Sequence, residues 1–386
     1  MSRHQEGYIW RKGHSWYGRW WDDVIEDGRI VRKQRSRRLA IYCDRYRSEK
    51  DVRPLLEDIL RPINEGRASP QSTLMVAEYV EIHYLPYAQE NYKPSTYAGY
   101  KTLWNLYLVP RLRNVALRDF RTVDAAILLA DLHRAHALGR NTLKHIKSLL
   151  SGVFTYAKNQ GVLDGLNPIR DAFVPKKSAG PRETFATSPD DVLKIIDILA
   201  TAGHLKASAA VALIFFAGLR PGEARGAGWD DYDGKCIVVR HAVWRTFTTS
   251  PKTPESSQPV PVIEPLRSIL TELRKVDGDP ESGPILRGPS SKPLNLDNLS
   301  RRVVIPTLKA AGLEWHGWYS LRRGIGTLVH TIEKNAMAAK GLLRHCSVTT
   351  TQRHYIKDVP EITLNAMKKV EALCNDRATA LTAKPS

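Results

Sequence analysis

The apolar positions of this chain change their period twice. Between Gly7 and Leu39 they fall in short aromatic and β-branched runs. Gly7 to Gly13 and Ser15 to Trp21, separated by Gly13-His14, predict two strands of a hairpin. Glu26-Asp27-Gly28 supplies the next turn, because glycine takes positive φ cheaply. Ile30 to Leu39 predicts a third strand, after which Ser48 as N-cap and Asp51 in the first turn predict a helix through about Ile63. From there on the period is helical. Thr73 to Leu85 carries Leu74, Val76, Ala77, Val80 and Ile82. Ser95 caps a helix through Leu106, and Val123 to Ala137 and Thr142 to Asn159 are two more. Leu143, Ile146, Leu149, Leu150, Val153 and Phe154 recur there at helical spacing. Beyond residue 181 helices and short strand-like runs mix. Ser188-Pro189-Asp190-Asp191 starts a helix, with an N-cap, proline at the first position and acids at the positive end of the dipole. Leu205 to Ala217 is a more apolar helix, Lys235 to Val239 is strand-like, and Glu361 to Leu373 is a final helix.

Two polar stretches punctuate this pattern. Gly66 to Ser72 reads as a linker, and Asn167-Pro168 with Val174 to Pro181 reads as a basic Pro/Gly linker. The expected division is residues 1–68, a small β-sheet plus helix; 70–175, an all-α domain; and 181–386, a mixed α+β, mainly helical domain. A chain of 386 residues can bury two or three cores.

Charge changes the picture more than composition does. Hydrophobic residues at 42% and charged residues at 25% are ordinary for a globular protein, but a net charge of +18 is not. Such an excess favours a polyanion, nucleic acid first. No apolar run approaches the ~20 residues that cross a bilayer, and Met1 to Gly7 lacks a signal-peptide core. Cys43, Cys236, Cys346 and Cys374 are far apart with no C-x-x-C pair, which argues against a zinc site or a disulfide framework and fits a reducing cytoplasm.

The basic residues read in two ways at this level. Arg32, Lys33, Arg35, Arg37 and Arg38 on the third strand could lay a sheet face into a DNA groove, or simply form a charged edge that discourages aggregation. Lys93, Lys101, Lys144, His145, Lys147 and Lys158 suit either a solvated helix face or a grip on a DNA backbone.

Four stretches in the last two hundred residues carry candidate chemistry. The apolar helix runs into Gly218-Leu219-Arg220-Pro221-Gly222-Glu223, which alone could be a basic helix C-cap. Lys252 stands in Lys252-Thr253-Pro254-Glu255-Ser256-Ser257, followed by Val260-Pro261, and alone could be an exposed turn lysine. Trp315-His316-Gly317-Trp318-Tyr319-Ser320-Leu321-Arg322-Arg323 comes next. Leu342-Leu343-Arg344-His345-Cys346-Ser347-Val348-Thr349-Thr350 then leads to Tyr355, the one tyrosine after Tyr319. Taken singly, Tyr355 would be a surface tyrosine on an amphipathic helix. As an ordered set the stretches resemble the tyrosine recombinases, the phage-type integrases: G-L-R-x-x-E, a lysine in K-T-x-x-S, a second arginine box usually written H-x-L-R-R, and L-x-H-x-S-x-x-T-T ending in tyrosine. The match covers most of residues 185 to 372. The N-terminal sheet resembles the family's arm-type DNA-binding domain and the helical segment its core-binding (SAM-like) domain. There are two departures. Tyr319 stands where histidine is usual, and Tyr355 lies ten positions after His345, where nine, at His354, is usual.

The resemblance implies a chemistry that suits these side chains. Arg220 and Arg322 would hold the nonbridging oxygens of a phosphodiester and neutralise charge as the pentacoordinate state forms. Tyr355 would attack, leaving a 3′-phosphotyrosyl link and a free 5′-hydroxyl. Lys252 would protonate the leaving oxygen, His345 would bond a nonbridging oxygen, Glu223 would orient the arginines, and Tyr319 would support by hydrogen bonding. Rejoining would need neither ATP nor metal, so no cofactor is expected. Implied partners are double-stranded DNA attachment sites, a homotetramer on DNA in which the final helix docks on a neighbouring protomer, and accessory DNA-bending or directionality proteins. The two larger domains would clamp the duplex, in the cytoplasm with the nucleoid. Two rival readings are a DNA-binding protein on the same fold with weak or lost cleavage, and a type IB topoisomerase-like enzyme, against which the basic N-terminal sheet argues.

Overall fold

The computed structural model describes residues 4–66, 68–180, 184–250, 257–333, 336–344 and 361–382. It divides into two compact units, Met1–Arg182 and Glu183–Ser386.

The first unit opens with an antiparallel sheet in the order β1 (Tyr8–Lys12), β2 (Ser15–Glu26), β3 (Arg29–Ile41). The strands pair around the two expected turns, with a register shift between Trp16 and Tyr17. Helix α1 (Glu49–Asn64) starts as expected: the Asp51 carboxylate accepts from Ser48 N at 2.7 Å and from Ser48 Oγ at 2.9 Å. One face of the sheet packs Ile9 and Trp20 on Leu56 and Leu60 of α1, a small apolar cluster of its own.

Four helical stretches follow. The first runs from Val76–Tyr79 through a π turn at Val80–Tyr84 into Leu85–Asn91 (α2). The second is Pro94–Leu103 continuing through Trp104–Leu108 to Val109–Leu112 (α3). The others are Thr122–His136 (α4) and Arg140–Asn159 (α5). The expected cap at Ser95 is corrected: Lys93 is the N-cap, because Pro94, with its fixed φ and no N–H, suits the first helical position. The core joins Tyr79, Tyr84, Trp104 and Phe154 with the expected apolar face of α5. The segment read as a basic linker packs back on these helices. Ile169 and Ala172 are buried, Ala179 O accepts from Arg140 N at 2.9 Å, and Lys147 Nζ donates to Arg170 O at 3.0 Å. Sheet and helices of this unit are joined by an ion pair between the buried Asp22 and Arg118, and by Ile25 N donating to Thr73 Oγ1 at 3.1 Å.

The second unit is built around α7 (Leu205–Phe216), preceded by α6 (Pro189–Thr201). Every residue of α7 from Ala207 to Phe216 is buried, as a helix apolar on all sides must be. Ser188 Oγ caps α6, accepting from Asp191 N at 3.1 Å. Short elements surround α7: α8 (Pro221–Gly226), β4 (Cys236–Val238), a hairpin of β5 (Ala242–Trp244) and β6 (Phe247–Thr249), and β7 (Pro259–Pro261) on β4. Next come α9 (Leu266–Val276) and a helical run from Leu296–Leu299 through Ser300–Val304 to Ile305–Ala310 (α10). α11 (Trp318–Glu333), α12 (Ala336–Leu343) and α13 (Glu361–Thr382) complete the unit. No helix among the described residues is long and apolar enough to cross a membrane.

Candidate active site

The site lies where α7 ends. Gly218 has φ +56°, a left-handed backbone that turns the chain after the helix at no side-chain cost. Leu219 is buried, and Arg220 then caps α8. Glu223, one turn on, reaches back: its Oε2 accepts from Arg220 N at 2.9 Å and its Oε1 from Arg220 Nη1 at 2.6 Å. The spacing of arginine and glutamate in the first box is therefore a helix-start geometry, with the carboxylate serving both the backbone and the guanidinium of the same residue.

Arg322 comes from α11 and is only 5% exposed. Its Nη1 donates to Gly218 O and its Nη2 to Leu343 O, so it ties the turn before Arg220 to the end of α12. Two contacts hold α11 in place. Thr187 N donates to Ser320 O at 3.1 Å, and the buried Thr187 and Ser320 hydroxyls lie 2.7 Å apart. Gly324 lies so close to the Thr187 carbonyl oxygen that a Cβ there would overlap it.

A third guanidinium completes the cluster. Arg344, 2% exposed, donates from Nη2 to Glu223 Oε2 at 2.7 Å. Glu223, also 2% exposed, thus lies between Arg220 and Arg344. Burial alone would raise its carboxyl, but the Arg344 charge and the Arg220 hydrogen bonds outweigh burial and hold it below the ordinary value. Burial first, then the neighbouring Arg220 and Arg344 cations, pushes Arg322 down to about 9. Burial likewise lowers Arg344, against the pull of Glu223. Three cations around one buried carboxylate form an excess of positive charge in a water-poor place, an arrangement suited to an anion.

The expected residues fare differently. Arg220, Glu223 and Arg322 are brought together. Tyr319 lies on α11 one turn before Arg322 and is 57% exposed. His316 stacks its ring on Phe185, centroids 3.6 Å apart. Lys252, His345 and Tyr355 lie outside the described residues. Two arginines had no expected role. One is Arg344. The other is Arg225 of α8, which donates to Leu294 O (2.8 Å), Val243 O (3.1 Å) and Arg245 O (2.8 Å), clipping the β5–β6 hairpin to α8. Gly226 makes that contact close, since a Cβ there would sit 2.5 Å from His241 O.

The basic residues of the first unit divide by strand alternation. The cross-strand pairs Tyr17–Arg38, Arg19–Ser36, Trp21–Gln34 and Asp23–Arg32 share the face opposite α1. On that face Trp10 stacks between Tyr8 (6.2 Å) and Tyr17 (5.4 Å), and the Arg19 guanidinium lies 4.9 Å from the Trp10 ring centre. Of the five expected strand residues, Arg32 and Arg38 are on this face. Lys33, Arg35 and Arg37 alternate to the other, where Lys33 pairs with Glu26 at 2.5 Å and Arg37 with Asp119 at 3.5 Å. Lys93, Lys101 and Lys144 are exposed, and Lys147 is the lysine bonded to Arg170 O.

No family model matches the chain. Over 382 residues it is 22% identical to a tyrosine recombinase XerC-like protein of Caldanaerobacter subterraneus subsp. tengcongensis, covering 90% of this chain and 93% of the relative. Among solved structures it is similar to the Tn1549 transposon integrase in complex with transposon right-end DNA (TM-score 0.60, 17% identity, 77% of this chain and 99% of that one). It is also similar to lambda integrase, in a tetramer bound to a Holliday junction (TM-score 0.56, 17% identity, 91% and 98%) and in a dimer bound to a core site (TM-score 0.55, 16% identity, 91% and 95%). The chain has a multidomain recombinase fold, a small N-terminal sheet ahead of a mainly helical body. That fold is the one these integrases share.

Proposed function

We propose that the protein is a site-specific tyrosine recombinase, an integrase that cuts and rejoins DNA through a 3′-phosphotyrosyl intermediate to integrate or excise a phage or other mobile element. The observation that carries this reading is the convergence of Arg220 and Arg322, from separate boxes, on the turn after α7, with Glu223 holding Arg220. Two guanidiniums with planar forks suit a phosphodiester, whose anionic oxygens otherwise repel a nucleophile. In this reading they neutralise the charge that grows in the transition state, Tyr355 attacks, Lys252 protonates the leaving 5′-oxygen and His345 bonds a nonbridging oxygen. The phosphotyrosyl bond conserves the energy for rejoining. The three compact regions expected from the sequence serve as arm-binding, core-binding and catalytic domains. The DNA-bound dimer and tetramer of the structural relatives support double-stranded attachment sites and a tetramer on DNA as partners.

The exposed Tyr319, in place of the usual histidine, favours one alternative: a DNA-binding protein on this fold with weak or lost cleavage. A nicked suicide duplex drawn from DNA flanking the gene separates the two. A covalent complex on a denaturing gel, lost in Tyr355→Phe while salt-sensitive binding persists, is expected of the recombinase. Tight binding by the wild-type chain with no covalent complex would sink it in favour of the binder.

A further inference from the structure

We propose that Arg344 is a positioning residue for this site, holding Glu223 from the side opposite Arg220 so that the phosphate-binding guanidiniums keep their places. The proposal rests on the recombinase reading above and deepens it.

Three observations carry it. First, Arg344 is buried yet, among the described residues, only partly satisfied. Its Nη2 bonds Glu223 Oε2, whereas its Nε and Nη1 have no acceptor among the described residues. A buried guanidinium left in that state is costly as a structural element, so it points to a demand for charge at this place. Second, its backbone is left-handed, with φ +50°. Glycine adopts that region freely and a long side chain does not, so the position keeps its side chain against a conformational penalty. Strain of this kind gathers at functional sites. Third, the connectivity is specific. The Gly218–Glu223 turn and the Leu343–Arg344 turn are tied twice: by Arg322, which bonds Gly218 O and Leu343 O, and by Arg344, which bonds Glu223. Removing Arg344 leaves Glu223 to Arg220 alone, and frees the second turn to shift under Arg322. Arg344 therefore acts through Glu223 and through the chain that receives Arg322, and it adds a third positive charge where negative charge would develop.

The test uses the full chain and the suicide duplex, prepared with an ordinary phosphodiester or with a methylphosphonate at the scissile position. The methyl group replaces one nonbridging oxygen and removes the charge the arginines neutralise. Single-turnover rates, half-saturating DNA concentration and melting temperature are measured for wild type, Arg344→Met and Arg344→Lys. For Arg344→Met we expect DNA binding to stay within about threefold, while the diester rate falls about 100-fold, the scale for losing one preorganised charge donor. On the methylphosphonate the loss should shrink to less than about tenfold, and Arg344→Lys should recover part of the diester rate, since it restores charge without the fork. An unchanged diester rate, or an equal loss on both substrates, would overturn the proposal, the latter by marking a merely structural role. Should Arg344→Met melt below the assay temperature, Arg344→Gly, which relieves the left-handed backbone, takes its place; a wild-type diester rate there also overturns it. Absence of a covalent complex with the wild-type chain would instead refute the recombinase reading, and this proposal with it.

Discussion

Arginine is put to opposite uses in the two units. On β3 of the first unit, Arg32, Arg37 and Arg38 are exposed, and the ion pair from Arg37 to Asp119 is open to water. In the second unit Arg322 and Arg344 are buried, their few acceptors are backbone carbonyls and one carboxylate, and the carboxylate is shared with Arg220. Exposed cations can be added or lost with little effect on folding, so their number sets affinity for a polyanion. Buried cations are different, because each must be held by a specific partner or the fold loses more than the charge brings. The first arrangement tolerates drift in sequence. The second requires the short, ordered boxes that made the site recognisable.

The sharpest way to break this contrast is to remove the shared carboxylate. Glu223→Ala leaves Arg220, Arg344 and the Arg220 amide without their common acceptor. Removing one partner of a buried pair costs about 3–5 kcal/mol, to be read as a lower urea midpoint for the second unit's transition. The pH dependence follows from the sign of the shift. The Glu223 carboxyl is held below its ordinary value of 4.5, so the folded chain binds fewer protons there than the unfolded one. Its contribution is fully present above about pH 4.5 and is lost as pH falls through the lower folded value. The wild-type advantage over Glu223→Ala should therefore shrink on acidification. An advantage that stays constant to pH 3 would remove the carboxylate from the account.

A smaller effect is expected one layer out, where packing and not charge holds the site. Gly324→Ala places a methyl against the Thr187 carbonyl oxygen, and the segment bearing Thr187 is also bonded to Ser320. Overpacking of this kind costs about 1–3 kcal/mol. Because α11 carries Arg322, covalent complex formation should fall with stability, and circular dichroism melts beside the cleavage assay check both. A variant as stable and active as wild type would show that α11 can shift freely on Thr187.

The legibility of these features in the sequence depended on how local their physics was. The three strands, α1, α6 and α7 could be read because their signals are short-range: Gly13 and Asp27-Gly28 at turns, Ser48 and Ser188 at caps, and an unbroken apolar run from Ala209 to Leu219. The Arg220–Glu223 contact could be read for the same reason, being one helical turn. The cap at Lys93 was missed because Ser95 is the better capping side chain, and only the place of Pro94 in the chain decides otherwise. The β5–β6 hairpin was missed because strands of three residues carry no measurable alternation. Arg344 and Arg225 were missed because their partners lie far off: 121 positions separate Arg344 from Glu223, and 69 separate Arg225 from Leu294. No local pattern encodes that. The strand arginines show a different failure, since counting cations ignored the period of two that sends Arg32 and Lys33 to opposite faces.

That alternation gives the last and smallest stability prediction, and it sharpens the contrast by separating affinity from folding within one sheet. The face opposite α1 carries Arg19, Arg32 and Arg38 beside Trp10 and Tyr17, whereas Lys33 and Arg37 sit on the other face in ion pairs. If the open face meets DNA, a double Arg32→Ala/Arg38→Ala variant removes two phosphate contacts. The slope of log affinity against log salt should then fall by about 2, roughly one unit per contact. Folding stability should move by less than about 0.5 kcal/mol, as for exposed charges elsewhere. Lys33→Ala/Arg37→Ala removes the same charge from the same strand, so it controls for net charge, and its slope should change less. Equal slopes for the two double variants would mean that the sheet contributes a diffuse field, and the distinction between a counted surface charge and a placed one would then apply to the buried cluster alone.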